Sequence, residues 1–283
     1  AKNEPAPYFG ENPKMKAVVD LVNTASKNNA TVLMLGETGV GKGMLARWIH
    51  EHSPQNTAPF VELNCSSLKG DLLASELFGH ARGAFTSAVE DKQGLIEVAH
   101  GGSLFLDEIG DMDLGVQAQF LNFIESKRYR RLGEVKIRAS EFRLICATNH
   151  DLKEHCQLGR FRQDLYFRIN VFPVEVPPLR EIKDDVPGLV RHFLKELIPH
   201  EVEIASQLMQ LLTDCSWPGN IRELRNVLER AVILASGKPL TADHFPGLSF
   251  NAVPAAGKKA EVMNLEDLEL AQIKSAMARF GND

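Results

Sequence analysis

Apolar residues recur along this chain with two periods, and the pattern changes once. Met15, Val18, Val19 and Val22 fall at helical spacing, which predicts an amphipathic helix over 14–27. TVLMLG (31–36) is a short apolar run closed by glycine, as a buried strand would be. A helix is expected from Lys42 to about His52, then strands at FVELN (60–64) and SLFLD (103–107). Residues 114–125 read as a helix with Val116, Phe120 and Phe123 on one face, and FRLICATN (142–149) and VFPVEV (171–176) as two more strands. Strands alternating with helices predict a largely parallel sheet wrapped by helices, an α/β domain over 1–176. After Pro177-Pro178 the strands stop. Residues 186–197, 203–213 and 220–235 read as helices, which predicts a small all-helical domain over 177–248. NAVPAAGKKA (251–260) is small and polar, so 249–263 is expected to be a linker. Helical periodicity resumes in LEDLELAQIKSAMARF (265–280), within a last segment 264–283.

Composition narrows the class. With 283 residues, 44% hydrophobic and 24% charged, the chain can bury one sizeable core and a smaller second one. A formal charge of −5 does not make the chain as a whole a nucleic-acid-binding cation. No apolar run approaches the ~18 residues of a membrane span, and the opening AKNEPAPYFG lacks the apolar core of a signal peptide. A cytoplasmic protein without membrane contact is expected. Cys65, Cys146, Cys156 and Cys215 form no C-x-x-C pair and have no accompanying His cluster, so reduced thiols are expected and a structural metal is not.

Two segments carry chemistry. GETGVGKG comprises Gly36, Glu37, Thr38, Gly39, Val40, Gly41, Lys42 and Gly43, with the G-x-x-x-x-G-K spacing of a phosphate-binding loop. Gly39 and Gly41 allow a tight turn whose N–H groups point inward, and the helix starting near Lys42 directs its positive end at the same anion. Lys42 can then reach the β- and γ-phosphates. Gly43 stands where a magnesium-ligating Ser or Thr is usual. A glycine-rich turn is the plainer reading, but strand, loop, Lys and helix come in the order a phosphate site needs. LFLDE (104–108) is an apolar strand ending in two acids at the sheet edge where open α/β sheets bind ligands. Asp107 is expected to hold Mg through water, and Glu108 to orient and deprotonate an attacking water. Acids at a strand end can also be solvated edge residues.

Four longer segments make a resemblance specific: SELFGHARGAFTSA (75–88), GGSLFLDE (101–108), FRQDLYFRINVF (161–172) and WPGNIREL (217–224). In this order, over roughly residues 8 to 248, they resemble the AAA+ domain of sigma-54-dependent transcription activators, the bacterial enhancer-binding proteins. The resemblance implies a RecA-like P-loop domain with a helical lid, ATP and Mg as cofactors, and hydrolysis of ATP to ADP and phosphate. It implies a ring oligomer, a hexamer or heptamer, acting on sigma-54 RNA polymerase to open closed promoter complexes. The family commonly carries Glu after the phosphate-loop Lys, so Gly43 departs less than it first seems. Asn64 matches a switch residue that hydrogen-bonds the catalytic glutamate and releases it. Thr148 and Asn149 match the first sensor, and Arg222 the second, which links the lid to the phosphates. Arg162 and Arg168 match arginines that reach into the neighbouring subunit's nucleotide, where a guanidinium neutralises charge on the transferring phosphoryl group. The last segment resembles the opening helix of the family's DNA-binding domain. The chain is expected to be a central domain that binds DNA only through a C-terminal domain it does not contain.

The segment Gly83, Ala84, Phe85, Thr86, Ser87 and Ala88 resembles the mobile loop that presses on sigma-54 in this family, with Phe85 as an apolar contact that nothing nearby is expected to bury. Residues 128–134 (RYRRLGE) match a second loop that moves with it, although their basic run would ordinarily be a solvated face. Ser87 stands where the family usually has Gly, which leaves a second reading open: an AAA+ regulator or remodeller with weak or no sigma-54 coupling. A residue with a Cβ loses about 1–2 kcal/mol in the left-handed region that Gly enters freely. Ser87→Gly is therefore expected to leave the ATPase rate unchanged and to strengthen retention of sigma-54 with a transition-state analogue. Equal or weaker retention would make Ser87 a tolerated or partner-matched residue.

Overall fold

The computed structural model describes residues 7–86, 88–198 and 204–246. Ser87, the expected linker at 249–263 and the expected helix at 264–283 lie outside them. Five strands form the main sheet: β1 (Val32–Leu35), β2 (Phe60–Asn64), β3 (Ser103–Asp107), β4 (Arg143–Thr148) and β5 (Phe172–Glu175). Their order is β2-β3-β4-β1-β5 and every pairing is parallel. The register sets Leu35 beside Thr148 and Asn64 beside Asp107, so the strands' C-terminal ends share one edge.

Period-two alternation divides each strand between two cores. Val32, Met34, Phe105, Ile145 and Ala147 face α1 (Pro13–Ser26) and α2 (Lys42–Glu51). Leu33, Leu104, Leu106, Leu144 and Cys146 face the opposite layer, which includes α3 (Asp71–Phe78), α4 (Leu114–Ser126), α5 (Leu152–Gln157) and α6 (Gln163–Ile169). Helix α1 starts where Asn12 accepts from the Lys14 N–H and Pro13, lacking an N–H, needs no acceptor. Arg143, 2% exposed, begins β4 and donates from Nη2 to the Ala25 carbonyl at 2.7 Å, at the end of α1 that favours a cation. Helices α3, α5 and α6 are absent from the sequence-level reading because each is at most eight residues long, too short for a clear periodic stripe.

Beyond β5 the chain is helical among the described residues: α7 (Val186–Leu197), α8 (Ser206–Asp214) and α9 (Asn220–Ala235). Their core includes Val190, Leu212, Leu224, Leu228 and Trp217, whose Nε1 donates to the Leu212 carbonyl at 2.8 Å. The N-terminal segment is tied to this part, since the Glu11 and Asn12 N–H groups donate to Asp185 Oδ1 at 2.6 and 3.0 Å.

Two small hairpins stand out from the sheet layer. Gly79–His80 pairs with Lys92–Gln93, and Arg128–Tyr129 pairs with Arg138–Ala139. The hairpins are joined, because Ala81 donates to the Leu132 carbonyl and Leu132 to the Gly79 carbonyl, both at 2.9 Å. The basic run is not simply a solvated face. Tyr129 is buried with its hydroxyl 3.1 Å from Glu97, and Arg131 and Arg138 lie 2.8 and 3.6 Å from the same carboxylate. One half-buried acid collects Tyr129 and Arg131 of the run, while Arg128 and Arg130 stay exposed.

Phe105 lies at the sheet centre with no exposed surface. Phe105→Ala is expected to cost about 3–5 kcal/mol of stability, read as a lower urea midpoint with an unchanged slope.

Candidate active site

The phosphate-loop segment crosses from β1 into α2. Gly39 and Gly41 have φ of 84° and 100°, and a Cβ at residue 39 would come within 2.3 Å of the Gly219 carbonyl oxygen. Both positions therefore need glycine. Gly43 does not: a Cβ there would meet Phe105 at an ordinary 3.7 Å. Val40 is buried in the core beneath the loop, so its side chain has a packing role. Lys42 opens α2 and is 5% exposed. Its Nζ donates to the carbonyls of Gly36 at 2.7 Å and Glu37 at 3.2 Å, and lies 3.8 Å from Glu108 Oε1. Burial pushes the ammonium's pKa below its ordinary value, and the negative charges of Glu108 and Asp107 oppose that shift.

Asp107 ends β3, and the chain then turns sharply, because Glu108 adopts φ 50° and ψ 47°. This left-handed conformation is strained for a residue with a Cβ. It leaves the Glu108 carboxylate facing Lys42 and accepting from the Asn149 N–H at 3.0 Å. The Asn149 side chain donates to Thr38 Oγ1 at 3.0 Å, so the end of β4 also holds the loop. The Thr148 hydroxyl is buried and accepts from the His150 N–H at 3.1 Å. From α9, the Arg222 N–H donates to the Gly39 carbonyl at 3.2 Å.

These groups border a cavity of about 350 Å³ lined by Thr38, Gly39, Gly41, Lys42, Gly43, Asp107, Glu108 and Arg222. Its other walls are Tyr8, Met44, Leu189, His192, Phe193, Ile221 and Arg225, which sequence reasoning missed. Leu189 and Phe193 were visible only as part of a helical stripe, and no motif marks Tyr8 or His192.

Two expectations meet a different local arrangement, and the arginine pair lies outside the chain's own cavity. Asn64 makes no hydrogen bond to Glu108 among the described residues; its side-chain oxygen accepts from the Ser66 N–H at 2.9 Å and the Ser66 hydroxyl at 2.7 Å, capping the turn Cys65–Ser67. Phe85 is half-buried, not bare: the loop folds back through Gly83 N–H to the Ala88 carbonyl at 2.8 Å, which sets the ring edge-on to His80 at 4.9 Å. Ala84 is half-buried, Thr86 is exposed and Ala88 is buried. Arg162 and Arg168 are exposed and do not line the cavity; the Arg162 guanidinium pairs with Asp164 of its own chain at 2.8 Å.

Residues 8–175 match the family described as the sigma-54 interaction domain, and residues 180–261 match the AAA+ ATPase lid domain. The chain belongs to the sigma-54 interaction domain family. It is 42% identical to the alginate biosynthesis transcriptional regulatory protein AlgB of Pseudomonas aeruginosa, a match covering 94% of this chain and 60% of AlgB. It is 44% identical to a Geobacillus stearothermophilus protein named limonene hydroxylase, covering 98% of this chain and 53% of that one. A structure of NtrX from Brucella abortus in complex with ADP superposes with a TM-score of 0.80 at 30% identity, covering 97% of this chain and 63% of NtrX. The chain thus spans little more than half the length of these proteins. The family and the parallel sheet establish a RecA-like α/β AAA+ domain with an AAA+ lid. No helix among the described residues is long and apolar enough to cross a membrane.

Lys42→Ala is expected to lose ATP binding, since the cavity's buried cation is removed. Glu108→Gln should keep binding and lose hydrolysis, because only water activation is removed. Nucleotide affinity and steady-state turnover measured on both variants separate the two roles; near wild-type hydrolysis by Glu108→Gln would refute the assignment.

Proposed function

We propose that this chain is the Mg-dependent ATP-hydrolysing motor of a sigma-54-dependent transcription activator. The observation carrying the reading is the convergence of Lys42, Asp107, Glu108 and Asn149 at one sheet edge, beside a cavity that runs to Arg222 on the lid. The loop's N–H groups and the start of α2 receive the phosphates, and Lys42 exchanges its carbonyl partners for phosphate oxygen. Glu108 takes a proton from water, with Asn149 holding the carboxylate in place. The apolar and aromatic walls suit a flat purine. Asp107 would hold Mg through water, and the ion would neutralise phosphate charge; Gly43 offers it no hydroxyl.

Neither Arg162 nor Arg168 lines the chain's own cavity, and this supports a site completed by a neighbour in a head-to-tail ring. The loop 83–88 then faces sigma-54 RNA polymerase, and its half-buried Phe85 supports a loop that is released to act. The serine at 87 favours a second reading, in which coupling to sigma-54 is weak and the motor works as another kind of AAA+ regulator.

The ring is tested by mixing. Arg162→Ala and Glu108→Gln are each expected to lose turnover, the first by roughly 10³-fold, the scale of arginine fingers. Combined, they should recover part of it, since some interfaces join an intact Glu108 to a neighbour's intact Arg162. No recovery in rings confirmed to be mixed would refute a shared site.

A further inference from the structure

Glu37 is an anion built into a loop shaped to receive anions, and the proposed mechanism makes no use of its carboxylate. Left facing the cavity, it would repel phosphate. The structure turns it away and pairs it. Arg180 grips it with two parallel bonds, Nη1 to Oε2 at 2.8 Å and Nη2 to Oε1 at 2.6 Å. Arg180 belongs to the turn Leu179–Glu181, at the junction where the sheet layer gives way to the lid. Asn220, the first residue of α9, is fully buried and held at φ 55°. Its Nδ2 donates to Glu37 Oε2 at 3.1 Å and to the Thr38 carbonyl at 3.0 Å, while its Oδ1 accepts from the Leu179 N–H at 2.8 Å. Phosphate loop, junction and lid helix therefore meet at one carboxylate. Arg180, then Asn220, hold the Glu37 carboxyl down to about 2, so the contact stays charged at any working pH.

We propose that Arg180 and Asn220 are positioning residues that latch the phosphate loop to the lid through Glu37, so that nucleotide binding is transmitted to α9. The connection runs both ways from the loop. The Glu37 carbonyl holds Lys42 in this structure, and Thr38 receives Asn149 through its hydroxyl and Asn220 through its carbonyl. When Lys42 leaves for a phosphate, the backbone at 37–38 loses one partner, and the partners that remain on the lid side are Arg180 and Asn220. The proposal rests on the nucleotide reading above for its ligand, and it concerns contacts that reading does not use.

The test compares Arg180→Ala, Glu37→Gln and the double variant with the unaltered chain, with thermal melts to confirm folding. Arg180 is half-exposed, so its truncation leaves no buried charge. Two quantities are read: affinity for ADP, and the slowing of hydrogen exchange over 217–224 when ADP binds. Arg180→Ala should bind ADP roughly fivefold more weakly, the scale of one exposed charge pair, because Glu37 is left unneutralised. Adding Glu37→Gln should restore most of that loss. In all three variants the ADP-induced protection of 217–224 should fall while protection of the loop 36–43 persists. Additive losses in the double variant, or full transmission to 217–224 by Arg180→Ala, would overturn the latch. Steady-state ATP turnover by the unaltered chain is scored separately. Absence of turnover alongside intact ADP binding and lid protection would sink the motor reading and leave the latch standing; absence of ADP binding would sink both.

Discussion

The Lys42 ammonium is a cation almost wholly withdrawn from water, and much of the site can be derived from what keeps it there. A buried charge without partners is costly, so the loop carbonyls of Gly36 and Glu37 turn inward to meet it and Glu108 faces it across 3.8 Å. Those carbonyls can turn inward only because glycines at 39 and 41 take up the backbone reversal. The Glu108 carboxylate lies opposite because the chain leaves β3 in a left-handed turn. The resulting centre holds a cation that a phosphate would satisfy better than backbone carbonyls do. It is preorganised for an anion, and Arg222 adds a second cation from the lid side.

The two parts of the chain contribute different things to this centre. The parallel register fixes Asp107, Thr148 and the loop on one edge, since shifting any strand would break a ladder of buried backbone bonds. The lid meets that edge through side chains and single backbone contacts: Arg180, Asn220 and the Arg222 N–H. Contacts of this kind can be exchanged without unfolding either part. The joined hairpins follow the same division. Glu97 fixes the base of the second hairpin through Tyr129, Arg131 and Arg138, while Phe85 rests edge-on against His80.

The sequence by itself determined the sheet strands, the long helices and the residue types that the loop and acid pair bring to one edge. Each of these rests on local features: apolar period, glycine spacing, or two acids closing an apolar run. It also carried enough ordered motif to point to the family. It did not reveal the short helices, because one or two turns make too brief a stripe, nor the walls at Tyr8 and His192, which come from segments about 180 residues apart in the chain. Tertiary structure alone decided which partner each polar side chain took. Asn64 could have reached Glu108 or capped its own turn, and in this structure it caps the turn. Glu37 reads as part of a phosphate motif, yet its carboxylate belongs to Arg180 and Asn220. The reason is physical: a side chain's hydrogen-bonding capacity is written in its identity, but which of several competing partners satisfies it depends on which segments packing brings within 3 Å.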